Sequence, residues 1–457
     1  MNPAATTSRG SLQRILGLGF GLALAFGTMV GVGILRLPGV VASAADSTFS
    51  IILFWCIGAA YALMGAVSVS ELAVMYPQVG GLRVYADRAF GGGAGFAVGW
   101  SDWLASSATL AFAAVTAVDF LGTIWPGLKG SQATIAVGLI LVFAFLHALG
   151  VRAGSSVTSF ASAAIGVLLV VLMIACLLAQ PVAQPADLAA PAQPSGNGWS
   201  PAALLAMVPA WRAILTAFDG WYAPIYTAEE SVNASRTLPR AIIGGALMVG
   251  VLYLLINLAL LRVLPIPELA ASKLPVADAA QIVLPHGSAA LITALSLLIV
   301  LGLINVQFIL APRVLFSLAR EGWISSAMAA VSRRGTPLPA VAVTALAACL
   351  LILTGSFNQI LALFAVLTAM NYCAVFLAVF ELRRRHPEMP RPYRALGYPF
   401  STGIALVGSG AFLLAAVIQD WRSGLTAAVF LSLCVPAYLW AGCVRRRRVR
   451  FLISSPS

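Results

Sequence analysis

Roughly a dozen times along this chain, about twenty residues pass with almost no charge, the length a helix needs to cross the hydrocarbon of a bilayer. Between these runs the cations alternate. One set of connecting segments is arginine-rich: Arg83 and Arg88, Arg152, Arg236 and Arg240, Arg320 with Arg333 and Arg334, and Arg383 to Arg385 with Arg391 and Arg394. The other set holds few cations, mainly Lys129, Arg262, Lys273 and Arg422, while Arg9, Arg14 and the run Arg445 to Arg450 put both termini in the rich set. The positive-inside rule then predicts an even number of spans with both ends cytoplasmic. With 60% hydrophobic and 9% charged residues among 457, a water-soluble fold could not hide the apolar surface. The net charge of +12 lacks the aromatic-interleaved basic face of a nucleic-acid binder, so no nucleic-acid partner is expected. The terminal arginine run is assigned to membrane lipid headgroups. Six cysteines show no metal spacing or disulfide framework, and no metal or cofactor is expected. The first apolar run has no small-residue cleavage site and reads as an uncleaved span.

Twelve spans are predicted, near 15–44, 49–76, 94–124, 133–150, 154–180, 201–231, 239–264, 287–320, 338–355, 357–382, 399–419 and 424–444. A tail (1–14) precedes a first half (15–180), an extracytoplasmic Pro/Ala/Gln linker (181–200), a second half (201–382), two appended spans (399–444) and a basic tail (445–457). Residues 265–285 are long enough for a short amphipathic helix on the outer side.

Two spans are interrupted, the first at Gly31-Val32-Gly33 and the sixth at Ala217-Phe218-Asp219-Gly220. Lipid offers unpaired backbone groups no water, so broken helices persist only where protein or a polar solute satisfies them. At the first break, free N–H groups at the start of the following half-helix favour an anion such as a carboxylate. At the second, the carbonyls of Ala217, Phe218 and Asp219 favour a cation such as an α-ammonium. The breaks stand five spans apart, as symmetry mates of an inverted repeat would, and together form a clamp for an amino acid. Glycines that merely permit close helix packing are the plainer alternative.

Around these breaks the residues resemble a family. Gly27 to Ile34 is similar to the first-span signature of the amino acid–polyamine–organocation superfamily. Phe218 to Trp221, Glu229-Glu230 and Asn233 to Ala241 are similar to its sixth-span signature, closest to the L-type amino acid transporter branch. Glu71 to Pro77 with Gly80-Gly81, Arg313 to Gly322, and Arg391 to Arg394 with Gly397 to Pro399 agree in order along the chain. The resemblance implies an all-α integral membrane protein of twelve transmembrane helices: a LeuT-like 5+5 inverted repeat, helices 1 and 6 discontinuous, two helices appended. It implies alternating access and a substrate held by spans one, three, six and eight, for which Thr28, Gly31, Val32, Gly33, Ala217, Phe218, Asp219, Trp221 and Asn305 are the candidates. Ile165 falls where the branch usually carries a lysine thought to stand in for a cation, Val32 replaces a small or hydroxyl residue, and Tyr222 stands where Asn is frequent.

Four further residues are candidates for gating or specificity. Arg36, some 12–15 Å from the outer end of its span at 1.5 Å per residue, either faces an outer vestibule or pairs structurally with Asp119. Glu71, Glu229 and Glu230 lie at the depth of Arg83, Arg88 and Arg236, as ion pairs of a cytoplasmic gate would. Asp219 either assists an ammonium or caps the half-helix beginning near Tyr222. Trp221 either closes over substrate or belongs to the core, and Asn305 either contacts substrate or satisfies a neighbouring helix.

Function follows as secondary active transport of amino acids, by exchange or proton symport. The alternatives are a transporter-like receptor or a carrier of polyamines or other organic amines. No pump domain is present, polar residues do not stripe the spans as in a channel, and His147, His286 and His386 are too scattered for an enzyme. The segment after span three lacks cysteine, so no disulfide-linked accessory subunit is expected. Arginine usage and short tails suggest a bacterial cell membrane.

Overall fold

The computed structural model describes residues 14–45, 47–125, 127, 131–181, 207–284, 288–354, 357–419 and scattered positions from 425 to 439. The predicted linker, both tails and most of the twelfth span lie outside the described residues. Among those described every named element is helical, and the one isolated β-bridge joins Leu16 to Ser231.

Among the described residues fifteen α-helices follow one another: α1 (Leu18–Met29), α2 (Val32–Ala42), α3 (Thr48–Met75), α4 (Leu82–Phe90), α5 (Gly92–Ile124), α6 (Gln132–Ala148), α7 (Val151–Leu178) and α8 (Val208–Ala217). A 3₁₀ segment (Ala223–Glu230) leads to α9 (Ala234–Val263), α10 (Ile266–Ala271), α11 (Pro275–Val283), α12 (Ser288–Arg320), α13 (Leu338–Thr354), α14 (Phe357–Arg385) and α15 (Phe400–Gln419). Seven of the described helices are long and apolar enough to cross a membrane, and α1 with α2, bent by 47°, makes an eighth. The 17-residue helices α6 and α13 meet the lower limit for spanning. Phe145, Phe160, Leu178 and Phe400 stand out from the bundle at 67–81% exposure, as side chains that lipid covers can.

The segment expected to hold one amphipathic helix holds two. Ser272 separates them by accepting from the Leu274 amide at 3.1 Å and donating to Asp278, and Pro275 then starts α11.

Three helix pairings organise the interior. The most extensive packing is of α5 on α12 and of α3 on α9, and α2 packs on α8. In span numbering these are pairs 3/8, 2/7 and 1/6, so each broken span lies against the other.

Candidate functional site: a cavity between two broken helices

Helix α1 ends at Met29, whose carbonyl accepts from the Tyr253 hydroxyl at 2.8 Å and from the Gly31 amide at 2.9 Å. Gly31 (φ −112°, ψ −159°) then turns the chain into α2, whose N-terminus has no side-chain cap. Its first N–H groups therefore lack a partner within the helix. Helix α8 ends at Ala217, and nothing among the described residues donates to the Ala217 or Phe218 carbonyls. The chain reverses through Gly220, which only φ = +109° allows.

The breaks touch. A methyl group on Gly220 would lie 2.6 Å from Thr28 Cγ2, and one on Gly33 would lie 3.4 Å from Ala217 Cα. A cavity of about 170 Å³ opens beside this contact, lined by Thr28, Met29, Gly31, Gly33, Arg36 and Leu37 of the first span and by Thr216 and Asp219 of the sixth. Thr109, Phe112 and Thr116 of α5, Leu303 and Gln307 of α12 and Phe364 of α14 complete it. Tyr372 donates to the Asp219 carboxylate.

Several candidates thus meet as expected, and several do not. Thr28, Gly31, Gly33, Asp219 and Arg36 border the cavity. Phe218 instead packs in the core against Trp55 and Tyr253, with ring centres 6.0 and 5.2 Å apart. Trp221 is fully buried, stacked at 5.8 Å on Tyr372 and at 6.4 Å on Phe376, so it is a core residue. Ala217 contributes backbone rather than a lining side chain, and the side chain of Val32 lies outside the described set. Asn305 faces away: its amide donates to Thr158 at 2.7 Å and its oxygen lies 2.9 Å from His147 Nε2, tying α12 to α7 and α6. Gln307, two residues on and so about 200° around the helix, is the polar residue of α12 that reaches the cavity. The stripe Thr109, Phe112, Thr116 had the same helical spacing and could have been found from it. Asp219 caps nothing, because no side-chain cap serves the 3₁₀ segment.

Arg36 lies near enough to Asp119 for the two charges to attract, without the close ion pair that was the structural alternative. It is exposed at the cavity and makes no ion pair among the described residues, whereas Asp119 accepts from Gln132 at 3.3 Å. An exposed, unpaired cation contributes little to folding, so Arg36→Ala should leave thermal stability within about 0.5 kcal/mol. Uptake at limiting substrate should fall severalfold, most at low ionic strength where steering is strongest. Unchanged uptake across salt concentrations would remove Arg36 from the vestibule role.

At the end of the bundle where α1 begins, charges pair with partners other than those expected. Glu71 binds Arg383 at 2.5 Å, Arg391 at 3.1 Å and the Ala395 amide at 2.7 Å. Glu229 pairs with Arg320 at 2.5 Å, and Glu230 with Arg313 at 3.1 Å. Arg83 pairs with Glu321, and Arg236 with neither glutamate. Ile165 of α7 is 1% exposed with its Cδ1 against Gly302, so hydrocarbon fills this place.

Residues 21–435 match the profile of the family described as amino acid permease. The chain belongs to that family. Among relatives, the serine/threonine exchanger SteT of Bacillus subtilis (strain 168) is 26% identical over 435 residues, covering 93% of this chain and 96% of its own length. The human b(0,+)-type amino acid transporter 1 is 28% identical over 400 residues, or 84% and 79% of the two chains. The mouse large neutral amino acids transporter small subunit 2 is 26% identical over 454 residues, 96% of this permease and 83% of the relative. These matches place the permease in the amino acid–polyamine–organocation superfamily near its L-type branch, as a multi-pass membrane protein.

Proposed function

We propose that this permease is a secondary transporter that moves amino acids across a bacterial cell membrane by alternating access. The carrying observation is the cavity where the two breaks touch, with uncapped N–H groups on one wall and the Asp219 carboxylate on another. The α-carboxylate binds at the start of α2, beside Gly31 and Gly33. The α-ammonium binds between Asp219 and the carbonyls ending α8. The ion-paired end is read as cytoplasmic, since the arginine-rich segments lie there, and the cavity as opening outward beside Arg36. Twelve spans in a 5+5 inverted repeat account for the packing of spans 1/6, 2/7 and 3/8 on one another. The name of the B. subtilis relative favours exchange, and the cysteine-free segment after span three favours action without a disulfide-linked subunit.

Purified permease in liposomes, offered a labelled amino acid panel with and without an internal pool, tests this reading. Flux for none of the panel defeats it and leaves a receptor or a carrier of other amines. Asp219→Asn should raise the half-saturating concentration about 10- to 100-fold, the loss of one charge-assisted hydrogen bond to the ammonium. An unshifted value would take Asp219 out of the clamp.

A further inference from the structure

A second carboxylate lies in the membrane below the cavity. Asp102 of α5 is 4% exposed, makes no ion pair among the described residues, and holds the hydroxyl of Tyr226 with both oxygens at 2.8 Å. A phenol has one hydrogen. The ionised carboxylate shares that hydrogen between its two oxygens in a charge-assisted bond, and a proton on the carboxyl weakens the hold.

Asp102 is also connected. A compartment of about 10 Å³, the scale of one water site, is bordered by Asp102, Ser106, Tyr222 and Tyr226. It shares Thr109, Gln307 and Phe364 with the substrate cavity. Gln307 is 7% exposed, and its Oε1 accepts no hydrogen bond from the described residues. A polar step therefore leads from the cavity floor to Asp102.

Its partner belongs to the element that has to move. Tyr226 sits in the 3₁₀ segment, next to Thr227 where the helical geometry fails (φ −111°, ψ 22°). Its ring closes on Gly81, where a methyl group would come within 2.2 Å. The same segment ends in Glu229 and Glu230 of the ion-paired seal. Other ionisable groups on the surrounding elements are Tyr222 and Asp219 of the sixth span, Arg83 and Tyr85 of α4, Arg313 of α12, Tyr372 of α14 and His147 of α6. Arg83 and Arg313 are already paired with Glu321 and Glu230, and His147 with Asn305.

We infer that Asp102 is a proton site of the transport cycle: it holds Tyr226 while ionised, loosens that hold when it takes a proton from the cavity side, and releases the proton to the opposite side once the segment has moved. One O–H bond forms on the carboxylate and the same bond later breaks, with no other chemistry. The inference rests on the transporter reading and supplies its coupling ion, with no amine available at Ile165.

Liposomes holding a trapped pH dye decide it. For the wild type, uptake driven by an inwardly directed proton gradient should exceed uptake at equal pH about tenfold, with internal acidification that follows substrate. In Asp102→Asn, whose amide cannot release a proton, the ratio of gradient-driven to equal-pH uptake should fall to one and the acidification should vanish. A wild-type ratio of one with counterflow intact overturns the proton site while sparing the transporter, and this measurement needs no variant to fold. An Asp102→Asn ratio equal to wild type overturns it too. Absence of counterflow for every amino acid defeats the transporter reading itself.

Discussion

Gly220→Ala should reduce uptake about 100-fold or more and leave little monodisperse protein after mild heating. Alanine would have to adopt φ = +109°, and its methyl would lie 2.6 and 2.8 Å from Thr28 Cγ2 and Cβ and 2.9 Å from the Thr28 carbonyl carbon. Backbone strain and overpacking cost about 1–3 kcal/mol each, so about 2–6 kcal/mol falls on the tightest contact between the broken spans. Relief requires the breaks to move apart, which takes Asp219 away from the start of α2. Adding Thr28→Gly removes the side-chain overlap but leaves the carbonyl carbon and the positive φ, so rescue should be partial at most. Size-exclusion profiles after heating and liposome uptake measure both effects. Wild-type uptake by Gly220→Ala would show that the touching breaks do not form the site.

The existence of this contact was legible from the sequence, and its side-chain directions were not. Apolar run lengths mark the described long helices closely, because lipid penalises every exception. Glycines and Asp219 mark the breaks for the same reason. At a break, however, the 100° per residue that aims side chains along a helix no longer applies. Phe218, Asp219 and Trp221 are consecutive or nearly so, yet Phe218 and Trp221 pack into the core and only Asp219 reaches the cavity. In regular helix the direction is recoverable only relative to a known face, so without that face Asn305 and Gln307 of α12 are equivalent, though only Gln307 lines the site. Asp102 stands out in the sequence in the same way, since a carboxylate inside an apolar span is costly wherever it lies. The ion pairs were anticipated as a class but not by partner. Glu71 meets Arg383 and Arg391 across more than 300 residues, a match that depends on how α3 and α14 pack.

Glu230 and Arg313 give the second large effect, and they separate a seal that opens from one that is merely structural. Both are almost fully buried, at 1% and 2% exposure, and the guanidinium bonds both carboxylate oxygens, at 3.1 and 3.3 Å. Glu230→Gln leaves a buried cation without its counter-charge, which costs about 3–5 kcal/mol, and Arg313→Met strands the glutamate to similar effect. Either single change should sharply lower the temperature at which the permease loses its monodisperse peak. The double change, Glu230→Gln with Arg313→Met, removes both charges and should recover most of that loss, since a buried pair replaced as a unit is often near neutral. Transport tells the two roles apart. Glu230 ends the 3₁₀ segment, and its carbonyl also holds the Ile15 and Leu16 amides at 3.0 and 2.9 Å, so release of this end requires the pair to break. A less polar joint should bias the resting equilibrium, and a shift of about 1.4 kcal/mol in either direction changes the population of the rarer state tenfold. The double variant is therefore expected to be stable yet to transport about tenfold more slowly than wild type. Stability and flux recovered together would make the pair structural, and the gate would then rest on Glu71 and Glu229.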